Sequence, residues 1–270
     1  METGLAGRTV VVTGGTANIG RGVVLAFAAE AANVVVVGRD EEAGHRVCQQ
    51  ALERGAKDVL WHAADVTDQG AVAAMADAVI GRFHAVDVLV NNVGGNVDVG
   101  PFAESDPGTW EQDIALNILS TLHCTRAILP GMIERTSGRI VNIGSTAGII
   151  GDPMMAVYSA MKGAVHTFTR VLALEVGKHG ITVNAIAPYG TAPEDPSDVS
   201  RGSRWHPEGL FAQLATTRAD VFGSIGRPSA MPRALARPPE IGAAAVYLAS
   251  DAAAFVTGQV LAVDGGTMLV

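Results

Sequence analysis

Cysteine is almost absent from this 270-residue chain: Cys48 and Cys124 are the only two. That is too few for a disulfide framework or a cysteine-based zinc site, and no metal is expected. Charged residues make up only 17%, and the balance is acidic, at −8. A phosphate-tracking nucleic-acid surface needs the opposite sign. No apolar run reaches the length of a membrane span. Met1-Glu2-Thr3-Gly4 lacks the basic start and apolar stretch of a signal peptide, so a soluble cytoplasmic protein is expected. Lysine is scarce as well, with three against sixteen arginines. What is abundant is apolar: 48% of residues, with a mean hydropathy of +0.27, which excludes a disordered chain.

Short β-branched runs alternate with longer helical patterns. Arg8–Val12, Asn33–Val37, Val59–His62, Val86–Val90, Arg139–Ile143, Ile181–Ile186 and Val260–Val263 read as strands. Their nearly continuous apolar character suits parallel strands covered on both faces. Helical patterns fill Ile19–Glu30, Glu41–Arg54, Gln69–Arg82, Thr109–Arg135, Val157–His179 and Pro239–Ser250. This alternation predicts an α/β fold: a doubly wound, Rossmann-like parallel sheet of seven strands with helices on both faces, in a single domain over residues 1–270. The rhythm breaks from Thr191 to about Pro238, a stretch rich in Pro, Ser, Arg and Asp with scattered Trp205, Phe211, Leu214 and Phe222. A connection this long reads as a substrate lid.

The first strand runs into Thr13-Gly14-Gly15-Thr16-Ala17-Asn18-Ile19-Gly20 and then a helix. Helix-start N–H groups and the helix dipole favour a pyrophosphate there, and glycines let the backbone approach it. The loop resembles the TGxxxGxG motif of the classical short-chain dehydrogenase/reductase family, with Asn18 at the middle glycine. Asn tolerates positive φ, so the turn can survive the exchange. The resemblance continues through Asp65-Val66, Asn91-Asn92-Val93-Gly94, Pro188-Tyr189-Gly190-Thr191 and Val263-Asp264-Gly265-Gly266. It spans residues 8 to 190 and 239 to 266 and implies cofactor contacts at Gly14, Thr16, Asn18, Ile19, Gly20, Asp65, Val66, Asn92, Gly94, Tyr158, Lys162, Pro188 and Thr191.

The end of the second strand bears on which dinucleotide is used. An acid there bonds the ribose 2′-OH, whereas an Arg accepts a 2′-phosphate. Here Gly38 stands where the family's NAD-type acid sits, and Arg39 follows. This favours NADP(H) over NAD(H); the other reading of Arg39 is a solvated partner of Asp40 or Glu42.

Ser145 follows the fifth strand, with Tyr158 thirteen residues on and Lys162 four beyond that. The i, i+4 spacing puts Tyr158 and Lys162 on one helix face. With three Tyr, three Lys and eleven Ser, chance predicts only about 0.0014 such matches. An ordinary phenol titrates near 10, and a neighbouring ammonium favours its phenolate. Tyr158 is therefore read as the acid/base, Lys162 as its cationic neighbour and Ser145 as a donor to the substrate oxygen. The resemblance adds Asn117, as the residue holding a water that links Lys162 to solvent.

Ile149, Ile150, Met154 and Met155 are expected to face the carbonyl site, with Asn96, Val97, Tyr189 and the lid adding surface. An apolar lining with few polar groups suits a hydrophobic ketone or secondary alcohol, cyclic or aryl forms included. The alternatives are a 3-oxoacyl-thioester reductase, disfavoured for acyl-carrier substrates by Pro130 and Leu174 where such members often carry Arg, and a non-catalytic dinucleotide binder. Family practice implies a homotetramer, with a dimer as the other solution, and no nucleic-acid or membrane partner.

Overall fold

The computed structural model describes residues 2–195 and 198–270, apart from the side chains of Phe222 and Ser224. Seven parallel strands form one sheet: β1 Thr9–Thr13, β2 Asn33–Gly38, β3 Asp58–Ala63, β4 Val88–Asn91, β5 Gly138–Ile143, β6 Ile181–Pro188 and β7 Val260–Val263. Their order is β3-β2-β1-β4-β5-β6-β7, so the direction of winding reverses between β1 and β4. In open α/β sheets the crevice at that reversal, beyond the carboxyl ends of the strands, is where ligands bind.

Alternation along each strand builds two cores. Val10 and Val12 of β1 join Val34 and Val36 of β2 under α1 (Asn18–Ala29), α2 (Glu41–Arg54) and α10 (Pro238–Ala249). Val11, Val35 and Leu89 point the other way, under α3 (Gln69–Phe83), α5 (Ser120–Glu134) and α7 (Ala156–Val176). This is the period-two logic of a strand, used twice because both faces are covered. On the first face α1 and α10 approach closely: a Cβ on Gly22 would lie 2.6 Å from Pro238.

The predicted helix over 109–135 is three pieces: α4 (Pro107–Ile114), a π-turn (Ala115–Leu119) and α5. The cause is local. Asn117 Nδ2 donates to the Asp113 carbonyl, 2.9 Å away, which competes with the helical ladder. Such π-bulges often accompany functional sites.

The lid also has structure of its own. It carries α8 (Leu210–Thr217) and α9 (Ala219–Ser224), whose Leu214 and Val221 form a small apolar cluster with Val99 from the segment after β4. Its two ends are zipped together by the Thr191–Ala236 bridge. One more short helix, α6 (Ala147–Ile150), connects β5 to the segment before α7. No helix among the described residues is long and apolar enough to cross a membrane.

Candidate active site

The glycine loop is shaped by close backbone approaches. A Cβ on Gly20 would sit 1.9 Å from the Gly14 carbonyl oxygen, so glycine is obligatory there. Asn18 does adopt a left-handed φ of 41°, and its Nδ2 donates to the Thr191 carbonyl at 3.0 Å. Asn92 Nδ2 donates to the carbonyls of Thr13 and Gly14, at 3.0 and 3.1 Å, and so braces the loop from β4. Thr16 is buried against Gly38, and Ile19 packs on the core. Val66 is buried in the opposite core.

The donor set fits a dinucleotide. Asn18 Oδ1 and Thr191 Oγ1 are buried with no partner among the described residues. They flank a glycine cradle at a helix start, where backbone N–H groups suit an anion. Arg39 is exposed at the end of β2, and it lies 3.5 Å from the Asp65 carboxylate. Asp65 also accepts from the Thr67 backbone and hydroxyl, so it caps a turn and faces Arg39 at once. Asp40 is occupied as the α2 cap and accepts from the Arg201 backbone.

The second half of the site lies at the carboxyl ends of β4, β5 and β6. Lys162 is 3% exposed, and its Nζ donates to the Ile143 carbonyl at 2.9 Å. Its Nζ lies 5.8 Å from the Tyr158 ring centre, on the shared face of α7. A Cβ on Gly94 would come within 2.7 Å of that Nζ and 2.9 Å of Asn117 Oδ1, so only glycine passes between them. Asn117 is fully buried; its Oδ1 accepts from Gly95 N–H and its Nδ2 donates to the Gly95 carbonyl. Ser145 Oγ accepts from Ala147 N–H at 3.1 Å, which leaves its own proton free to donate. Pro188 ends β6, and its carbonyl accepts from Thr146 N–H, tying the two strand ends together.

Burial sets the electrostatics. It pushes the Lys162 ammonium down to about 7, with the charge of Arg204 adding to the effect. It also brings His166 down to about 4, helped by Lys162 and Arg170, so that imidazole is neutral. Its Nε2 faces the Ser145 N–H at 3.4 Å. Asp113 is buried and its carboxyl is raised above the usual range, again by burial. Burial likewise raises the Tyr189 phenol, which takes a hydrogen bond from the Arg227 backbone.

Three residues beside the site escaped the sequence reading: Asp113, His166 and Arg204. Only His166 left a readable signal, its i+4 spacing from Lys162. The expected lining also needs correction. Met154 and Met155 do share a cleft with Tyr158, Phe102, Trp110 and Asp113. Ile149 and Ile150 are exposed instead, and Ile150 lines a separate open groove with Asp152 and Arg227. The reason is the turn at Gly151, whose left-handed φ of 71° redirects the chain after α6.

Comparison with known proteins agrees with this geometry. A family model described as short chain dehydrogenase matches residues 8–201. The chain is 35% identical to the 2,3-dihydroxy-2,3-dihydro-p-cumate dehydrogenase of Pseudomonas putida, covering 98% of this chain and 96% of that protein. It is 39% identical to the galactitol 2-dehydrogenase (L-tagatose-forming) of Cereibacter sphaeroides, covering 97% and 95% respectively. A solved NAD+-bound xylitol dehydrogenase superposes with a TM-score of 0.84 at 29% identity, covering 97% of this chain and 99% of that one. The chain belongs to the short-chain dehydrogenase family and is an NAD(P)-dependent oxidoreductase of secondary alcohols and ketones.

Proposed function

We propose that the enzyme interconverts a largely apolar small ketone and its secondary alcohol, with NADP(H) as the preferred dinucleotide. The observation that carries this is the buried Lys162 ammonium, held between Ile143 and Gly94 beside the Tyr158 ring. Gly14, Thr16, Asn18, Ile19, Gly20, Asn92, Gly94, Pro188 and Thr191 would hold the cofactor, with Arg39, Asp65 and Val66 at its adenosine end. The bound nicotinamide supplies or accepts the hydride.

In oxidation, Tyr158 takes the hydroxyl proton of the substrate as its carbon–hydrogen bond breaks. Lys162 steadies the negative charge that passes through the Tyr158 oxygen. Ser145, with its acceptor side already engaged, donates to the substrate oxygen where charge develops. Asn117 acts by geometry: both ends of its amide fix Gly95, and its π-turn keeps Gly94 against Lys162. The stacked pair Phe102 and Trp110, with ring centres 5.4 Å apart, gives the cleft a flat apolar wall. Flat rings suit a cyclic or aryl substrate.

The dinucleotide preference rests on charge. No acid ends β2, Arg39 is 63% exposed on its side chain, and the nearby Asp40 is paired with the exposed Arg201. A bidentate guanidinium suits a 2′-phosphate. Arg39→Asp is expected to lower the NADP(H)-to-NAD(H) ratio of kcat/KM about tenfold to a hundredfold, the scale of a charge-assisted hydrogen bond. A wild type already faster with NAD(H) overturns this preference.

A homotetramer also belongs to this reading, supported by Leu174, 85% exposed on α7, and the exposed Phe255. So does a single-domain, cytoplasmic enzyme, supported by the buried free thiols of Cys48 and Cys124. The central test is a steady-state screen of graded ketones and alcohols with both dinucleotides, repeated with Tyr158→Phe. The variant should lose about 100-fold to 10,000-fold in kcat, the usual worth of a positioned acid/base. Full activity in Tyr158→Phe removes the proton-transfer role. Turnover confined to acetoacetyl-CoA points to a thioester reductase, and dinucleotide binding without turnover points to a non-catalytic protein.

A further inference from the structure

Arg204 stands apart from the other arginines. Among the described residues, eleven of the sixteen arginines lie within ion-pair distance of a carboxylate. Of the five that do not, Arg54, Arg126, Arg135 and Arg170 are exposed to water. Arg204 alone is half-buried and has no carboxylate at that distance. A guanidinium withdrawn from water without a counter-ion is costly unless something else supplies one.

Its position is defined from three sides. The guanidinium lies over Gly95, where a Cβ would meet three of its atoms at 3.0 Å. One Nη donates to Asn96 Oδ1. The Phe211 ring, 5.9 Å from Cζ, backs it from the lid, and Trp205 packs edge-on against Phe211. Asn96 is only 8% exposed, and its Nδ2 has no partner among the described residues. A second donor is thus left idle beside the first.

The place matters as much as the charge. Gly94 lies under Lys162 and Gly95 under Arg204. Adjacent residues, about 3.8 Å apart along the chain, therefore separate the cation of the reaction centre from that of the lid. Asp113, the acid whose titration responds to Arg204, is itself buried and accepts from Val97 N–H and Asn117, so it offers only partial compensation.

We propose that Arg204 and Asn96 form an anion subsite, and that the substrate of this enzyme carries a carboxylate a few bonds from its reacting carbon. The inference rests on Tyr158 marking the reaction centre. The Arg204 fork takes the carboxylate oxygens, Asn96 Nδ2 adds a third donor, and the carbinol or carbonyl carbon then faces Tyr158 and Ser145. The apolar skeleton lies against Phe102, Trp110 and Met155. The guanidinium comes from the lid, so the carboxylate also draws the lid onto the sheet.

The test measures binding rather than turnover. Cyclohexanecarboxylate and the uncharged cyclohexanecarboxamide are titrated into the NADPH-loaded enzyme by calorimetry, in wild type, Tyr158→Phe, Arg204→Ala and Arg204→Lys. The carboxylate should bind about tenfold to a hundredfold tighter than the amide in wild type and in Tyr158→Phe alike. Arg204→Ala should abolish that ratio, and Arg204→Lys should keep part of it, with the melting temperature and NADPH affinity unchanged. Equal binding of the two probes in wild type, or no binding of either, overturns the proposal. So does a ratio that survives Arg204→Ala. If Arg204→Ala instead weakens NADPH and leaves the two probes equal, the guanidinium serves a cofactor phosphate. Tyr158→Phe separates the two readings, because its turnover tests the proton-transfer role while its binding of the two probes tests the carboxylate preference.

Discussion

The two walls of the active-site cleft are built by different physics. The sheet wall is held by strands buried on both faces, by a backbone contact that admits no side chain at Gly20, and by the buried Lys162 and Asn117 packed against Gly94. The lid wall hangs from the Thr191–Ala236 bridge and is fastened mainly by side chains. Arg21 pairs with Asp198 at 2.9 Å, Arg227 with Asp152 at 2.8 Å, and Arg201 with Asp40 at 3.6 Å. Among the described residues the lid adds only two buried side chains, Leu214 and Val221, to a small apolar cluster. On the proposed reading, chemistry that tolerates little misplacement sits on the rigid wall and selectivity on the wall that can be changed cheaply.

The sharpest way to break the contrast is Gly20→Ala. Its methyl would meet the Gly14 oxygen at 1.9 Å and Asn92 Nδ2 at 2.7 Å. Cofactor binding should vanish in a fluorescence titration, and stability should fall by about 1–3 kcal/mol, as overpacking costs. Binding at wild-type strength in a folded variant would show that the loop is as forgiving as the lid.

A smaller effect joins the walls through charge. Lys162 is depressed to about 7 from an ordinary 10.5, so between those values the folded chain binds fewer protons than the unfolded one. Stability from this group therefore rises with pH across that window, by up to about 1.4 kcal/mol per unit. Its charged and titratable neighbours are Arg204 from the lid and His166 on α7, with the Tyr158 ring on the same helix. His166 titrates near 4 and stays neutral throughout. Urea midpoints of wild type should climb relative to Lys162→Met from pH 7 to 10, and parallel curves would exclude the depressed ammonium. Because Arg204 contributes to the depression, Arg204→Ala should narrow the window from its lower end.

The smallest expected effect belongs to the fastening alone. Arg227 grips Asp152 and the Gly151 carbonyl, both at 2.8 Å, just before the segment that leads to Tyr158. Arg227→Ala should raise the substrate KM several-fold while moving stability by about 1–2 kcal/mol, as for a hydrogen-bonded, partly buried charge at the surface. A stability loss larger than that of Gly20→Ala would place the clamp with the core.

How legible the sequence is follows the same divide. All seven strands read correctly because each is a run of apolar residues flanked by turn signals, and their bounds shift by at most two residues. The left-handed turn at Asn18 was also readable, from the short polar side chain that tolerates it. The π-turn around Asn117 was not, because it depends on an amide turning back onto the Asp113 carbonyl. Ile149 and Ile150 were misplaced because apolar character does not tell which way a side chain faces after a turn at Gly151. The lid's helices escape a periodicity reading because they are only eight and six residues long and lie among Pro-, Gly- and Arg-rich turns.

Local patterns thus determined the sheet, the phosphate loop and the Ser145–Tyr158–Lys162 set, since periodicity and short spacings are properties of neighbouring residues. Tertiary structure alone decided that Lys162 would be stripped of water and that Arg204 would meet Asn96, a residue 108 positions away. No pattern in the chain encodes a contact at that range, because it exists only where two distant segments, the lid and the loop after β4, pack against each other.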